Sequence, residues 1–228
     1  MSLQAHTHRL RLSVDESLRG VLAIGMLEAE QVQLGALPPE FLAERDKLIE
    51  RLVAAYSGKQ PADIPGVAEA RTLFHQLDID PTKHRPSSEA LLRRVLQGKG
   101  LPSVNAAVDV CNLCSLEHQL PVGLYDRELV RGAVAVRVGR EPESYAGIRK
   151  QRVFLAGRLL LADEDGPFGA PTSDSARTAV TQATKQLLVV LFAPLERAGQ
   201  NLSTALEHIS DLLTRHCEAH VVGVRVVQ

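Results

Sequence analysis

The chain has 228 residues, 45% of them hydrophobic and 23% charged, enough to bury a sizeable core, and it reads as a single domain over 1–228. Its 26 Lys and Arg stand against 27 Asp and Glu, which excludes the overall basic excess of a constitutive nucleic-acid binder, so any RNA contact must come from a local patch. No apolar run approaches the roughly 20 residues that span a bilayer, the opening Met1-Ser2-Leu3-Gln4 has no signal-peptide core, and Cys111, Cys114 and Cys217 are too few and too oddly counted for a disulfide framework; the expectation is a cytoplasmic globular protein with no membrane partner.

In chain order, Arg9 to Val14 alternates with the two-residue period of a half-buried strand, and Val21 to Leu27 reads as a second, more uniformly apolar strand. After Pro38-Pro39, the residues Phe41, Leu48, Leu52 and Ala55 share a helical face, with Gly58 as a stop. Pro61, Pro65 and Gly66 punctuate a loop, after which Val67, Ala70, Phe74 and Leu77 recur at helical spacing. Pro81 and Pro86 predict an extended Asp80 to Arg85 segment, and Ser87 a cap for a helix carrying Leu91, Leu92, Val95 and Leu96. A further helix is predicted from Pro102-Ser103 to about His118, with Val104, Val108, Cys111 and Ser115 on one face. Ala133 to Val138, Val153 to Ala162, Leu187 to Phe192 and Val221 to Val227 read as strands. Leu202, Leu206, Ile209 and Leu213 mark a helix between the last two, so the fold class expected is α+β, with helices packed on a mainly antiparallel sheet.

Three constellations carry chemistry. Asn105, Asp109 and Asn112 fall at three- and four-residue steps on the central helix, flanked by Lys99 and Pro102 before it and by Pro121, Tyr125 and Asp126 after it. Such a stripe can fix hydroxyl, amine or carbonyl groups of a ligand, or can equally satisfy loop backbone. Cys111 and Cys114 have the two-residue gap of redox and zinc motifs, with His118 one turn on, but a fourth ligand would have to come from Cys217 or His216, and buried core packing is the competing and preferred reading; no metal or other cofactor is expected. Lys83, His84, Arg85, Arg93, Arg94 and Lys99 concentrate positive charge on one loop and helix, suited to phosphates, although Glu89 lies four residues before Arg93 and can pair with it. None of these names a reaction.

The run Leu101 to Leu116, with Pro102, Asn105, the Val108-Asp109 pair and Asn112 in order, resembles the central helix of the editing domain in the phenylalanyl-tRNA synthetase beta subunit. Pro121-Val122-Gly123-Leu124-Tyr125-Asp126 is similar to that domain's Pro-Leu-His-Ala-Phe-Asp turn, and Asp80 to Lys83 with Ser88 to Arg94 looks like free-standing members; together these motifs cover about 70–192. The resemblance implies one α+β domain with a pocket that, in the synthetase, hydrolyses tyrosine misattached to phenylalanine tRNA. It implies pocket roles for Asn105, Asn112 and Pro121, and a cysteine, Cys111, in place of the usual threonine. It also places Gly123 where the family has a histidine, Val190 where it has a glutamate and Asp174 where it has a small glycine, and matches Thr184 to a family threonine. The expected activity is therefore binding of tRNA or aminoacyl-tRNA, with hydrolysis, where present, resting on Asp109 or Asp174 and with Lys83, Arg85, Arg93 and Arg94 on phosphates. The competing expectation is a non-catalytic binder of an amino-acid-like small molecule.

Overall fold

The computed structural model describes residues 10–148 and 152–228. In chain order the strands are β1 (Leu12–Val14), β2 (Leu22–Glu30), β3 (Val122–Asp126), β4 (Val134–Val138), β5 (Ser144–Tyr145), β6 (Val153–Phe154), β7 (Leu159–Asp163), β8 (Gly166–Gly169), β9 (Leu187–Pro194) and β10 (His220–Val227). The helices are α1 (Pro39–Tyr56), α2 (Pro65–Gln76), α3 (Ser87–Leu96), α4 (Ala106–His118) and α5 (Gln200–Cys217). One sheet has the order β10-β2-β9-β3 and a second the order β1-β4-β7-β8, with β5 and β6 forming a separate pair. The named strands pair antiparallel except β1 with β4, and an isolated parallel bridge joins Gly139 and Ala156; with the helices this makes the protein an α+β domain.

The first sheet lies between two cores, and its strands alternate between them. Leu187, Val189, Leu191 and Ala193 of β9 join Ala23, Leu27 and Ala29 of β2 in the core shared with the helices. Leu188, Val190 and Phe192 join Leu22, Ile24 and Met26 in the core shared with the second sheet. Every residue of β9 is buried, which is why it reads as an unbroken apolar run: a strand covered on both faces has no solvent side on which to place polar residues. On the helix side, α5 turns Leu202, Leu206, Ile209 and Leu213 inward, as its helical period requires. It packs close to β2 because Gly25 has no side chain; a Cβ there would lie 2.9 Å from Leu202 Cδ1 and 3.1 Å from Leu206 Cδ1.

Several local expectations need correction. Residue Arg9 lies outside the described residues, and β1 begins at Leu12. Asp80 to Arg85 is a turn rather than an extended segment: the Asp80 carboxylate accepts from the Thr82 amide and hydroxyl, and the His84 amide donates to the Asp80 carbonyl, a local closure that outweighs the stiffness of the two prolines. The N-cap of α3 is Pro86, and Ser87 is already helical. Residues Pro102 to Asn105 precede α4 instead of opening it, and Val153 to Ala162 is two strands separated by a turn at Gly157, whose φ of 69° suits glycine.

The fully buried Leu206 on α5 tests the helix-side core. Leu206→Ala should lower unfolding free energy by about 2–5 kcal/mol, read from the midpoint of a urea titration.

Candidate functional site

The amino-terminal end of α4 is built by its polar residues. The Asn105 side chain accepts from the Val108 amide at 3.0 Å, and Asp109 accepts from the Val104 amide at 2.8 Å and the Ser103 hydroxyl at 2.7 Å. The Asn105 cap satisfies an amide that the first turn leaves without a partner, and Asp109 reaches back to the Val104 amide ahead of the helix. The same residues, with Gln182 and the Leu34–Leu37 loop, line a cleft of about 450 Å³. Asn112 lies half-buried one turn further on and does not line that cleft. Cys111 is buried in the helix-side core, and burial pushes its thiol well above the ordinary range, with the nearby Cys217 adding to the effect. Cys114 and Cys217 are also buried and free; burial raises the Cys217 thiol to about 12. At neutral pH these thiols are protonated, packed side chains and poor nucleophiles.

On the opposite face of the same sheet, Gly123 of β3 and Val190 of β9 stand directly across from each other. These are the two positions at which the family resemblance leads one to expect a histidine and a glutamate. The space they face is filled from within. Tyr125, two residues along β3 and so on the same face, is fully buried, and a Cβ at either Gly123 or Gly169 would collide with its phenol oxygen. The hydroxyl donates to Asp174 Oδ1 at 2.7 Å, and the ring meets Phe168 edge-on at 4.9 Å between centroids. Burial raises the Asp174 carboxyl to about 7, against the lowering pull of the bonds from Tyr125 and the Ala170 backbone. Tyr125 is likewise driven above its ordinary value, first by burial and then by Asp174. Pro121 holds the adjoining end of the strand pair, its carbonyl accepting from the Phe192 amide. Thr184 donates to Asp126 at 2.6 Å, tying the end of β3 to the segment before β9.

The structure thus brings Gly123 and Asp174 together through Tyr125, while Asn105, Asp109 and Cys111 belong to the helix side. The alternation of β3 carried the missed signal: residues 123 and 125 share a face, so a glycine at one makes room for a larger group at the other.

The basic residues also divide. Glu89, with no exposed surface, is bracketed by Arg71 at 2.7 Å, Arg85 at 3.3 Å and Arg93 at 3.8 Å. Arg94 donates to the Gly100 carbonyl beyond the end of α3. Lys83, together with Arg85 beside its Glu89 pairing, lines a cleft of about 480 Å³ whose far wall supplies Arg152, Phe154 and Arg158, with Thr172 and Ser173 at its side. Phe154 is 62% exposed, and the Arg152 guanidinium lies 5.4 Å above its ring. Arg158 makes no ion pair among the described residues. Burial, and then the charge of Arg158, hold His84 below its usual value. Sequence reading found one wall of this cleft and missed the other, because β6 and the turn after it are about 70 positions away along the chain.

An α+β domain of this layout, with a two-faced sheet and a tyrosine-filled cavity beside a cationic cleft, can be compared with known families. The B3/4 domain matches residues 69–218, well over half of the chain, and the chain belongs to that family. It is 28% identical over 149 residues to the phenylalanine-tRNA ligase beta subunit of Neisseria meningitidis, covering 64% of this chain and 19% of that subunit. It is 33% identical over 116 residues to the corresponding subunit of Streptomyces avermitilis, covering 49% of this chain and 14% of that one. The chain therefore spans less than a fifth of the length of these relatives. An amino-terminal fragment of the phenylalanyl-tRNA synthetase beta subunit from Pyrococcus horikoshii superposes with a TM-score of 0.48 and 13% identity, over 96% of this chain and 55% of the fragment. No described helix is long and apolar enough to cross a membrane.

Two measurements probe the filled cavity. Folded Asp174 takes up its proton near 7, whereas the unfolded carboxyl does so near 3.8. Its contribution to stability is thus fully present below the unfolded value, falls as pH rises, and is lost above about 7. Asp174→Asn should flatten that fall, gaining up to a few kcal/mol on the wild type at pH above 7, as read from urea unfolding across a pH series. Gly123→Ala should destabilise the chain, and Tyr125→Phe should recover part of that loss in a double-mutant cycle, with a coupling energy of about 0.5–3 kcal/mol.

Proposed function

We propose that the chain is a tRNA-binding module of the B3/4 family, one that engages tRNA or its aminoacylated end through the cleft between the turn before α3 and strand β6. The observation that carries this reading is the convergence of Lys83, Arg85, Arg152 and Arg158 around the exposed ring of Phe154. Guanidinium and ammonium groups attract phosphates, and Arg forks bind them bidentately. An exposed aromatic ring offers a face on which an unpaired base can stack. A local patch of this kind is compatible with a formal net charge of −1 for the whole chain, since binding depends on the potential along the contact. The names of the relatives, tRNA ligase beta subunits, point the same way.

Binding without hydrolysis is the form of this reading that the side chains favour. Ester hydrolysis needs a group that orients or deprotonates water beside a space that admits the aminoacyl group. Gly123 and Val190 supply neither an imidazole nor a carboxylate, and Tyr125 takes up the space they face. The Asp174 carboxyl there is committed to the Tyr125 hydroxyl. Asp109 is likewise committed to the start of α4. A small-ligand reading has one observation in its favour, the separate cleft of about 450 Å³ between α4 and the Leu34–Leu37 loop.

The test is binding of bare and tyrosine- or phenylalanine-charged tRNA across a salt series. Affinity should fall as salt rises, and Arg158→Ala should reduce the slope of log K against log salt by about 1 for each phosphate that is no longer neutralised. Phe154→Ala should cost about 1–3 kcal/mol of binding with the slope preserved. Binding unaffected by these changes, or absent at low salt, would overturn the proposal and leave the α4 cleft as the site to pursue. Release of the amino acid above the background rate would overturn its non-hydrolytic form.

A further inference from the structure

Away from both clefts, at the far end of α4, three donor atoms from two helices converge. His118 Nε2 lies 3.0 Å from His208 Nδ1, and Glu117 Oε2 lies 3.5 Å from that same His208 nitrogen. All three donor atoms are within 4.8 Å of one another, and the residues are half-buried. We propose that Glu117, His118 and His208 form a binding site for one divalent transition-metal ion of the zinc type, joining α4 to α5 and leaving a fourth position for water.

The geometry suits such an ion. Tetrahedral zinc with nitrogen and oxygen ligands at about 2.0–2.1 Å separates neighbouring donor atoms by about 3.3 Å. The two measured separations, 3.0 and 3.5 Å, lie on either side of that value.

The surroundings hold the ligands in the orientation required. His208 turns its other nitrogen, Nε2, toward Glu44 Oε1 at 3.9 Å, within ion-pair range but too long for a hydrogen bond. Arg51 binds Glu117 through Oε1 at 2.8 Å, which pins that carboxylate and leaves Oε2 for the ion. His118 is the last residue of α4, where unpaired carbonyls carry partial negative charge and favour a cation. The inference is independent of RNA binding, because none of these residues lines the cationic cleft.

The experiment uses full-length, tag-free protein stripped with a chelator and titrated with ZnCl2 by calorimetry, and with Co2+ while the visible spectrum is recorded. The expected result is one equivalent bound per chain, a rise in Tm with zinc, and a tetrahedral cobalt spectrum free of thiolate charge-transfer bands. His118→Gln and His208→Gln should each weaken binding at least tenfold. Glu117→Gln, whose side chain is partly exposed, should also weaken binding and gives a second readout if a histidine variant fails to fold by circular dichroism. No stoichiometric binding, binding retained in the His118→Gln/His208→Gln double variant or in Glu117→Gln, or a thiolate-type cobalt spectrum would overturn the proposal.

Discussion

The two-sided burial of β9 is the constraint on which the other placements depend. A strand with no solvent face must send alternate side chains into two different cores. Its odd-numbered residues meet α4 and α5, while its even-numbered residues meet the second sheet. Because β3 pairs with β9 in a fixed register, the face on which each residue of β3 lies is settled too. Gly123 and Tyr125 must point toward the second sheet, and the capping residues of α4 must lie on the far side. A one-residue slip would exchange these faces and bury the wrong groups.

Within the space between the sheets, Tyr125, Gly123, Gly169 and Asp174 behave as one packed unit. Glycine at 123 and 169 gives the phenol ring room, and Asp174 satisfies a hydroxyl that has no water to turn to. The unit also reaches the cationic cleft. Ser173, next to Asp174, lines that cleft, and its carbonyl accepts from the Tyr145 hydroxyl. The Ser87 amide donates to the Pro171 carbonyl, so the start of α3 and the loop before Asp174 are joined. One wall of the cleft therefore rests on the buried tyrosine, a rigid support of the kind that precise binding needs.

The sequence made the strong periodicities plain. Leu202, Leu206, Ile209 and Leu213 specify α5, and Leu187 to Phe192 specify a buried strand, because helical and strand periods differ enough to be read directly. The motif around Asn105, Asp109 and Asn112 was legible as a family resemblance. Its local duty in capping α4 was not, since capping depends on where the first turn begins, a boundary that Pro102 and Ser103 marked three to four residues too early. Short strands such as β5, β6 and β8 have too few residues to show a period. The far wall of the cationic cleft escaped for the same reason: Arg152, Phe154 and Arg158 acquire meaning only once β5 and β6 carry them to Lys83. The replacement of histidine by Gly123 could be read as a loss, whereas its link to Tyr125 required knowing that both face a closed space.

That link restricts how such a chain can change. A histidine at 123 and a tyrosine at 125 compete for one volume, so neither can be introduced while the other is present without displacing the ring. Phenylalanine at 125 removes the oxygen that a Cβ at 123 would meet first, and the carboxyl at 174 has its buried partner in the Tyr125 hydroxyl. The same substitution at one of these positions is therefore harmless or damaging according to which residues stand at the others.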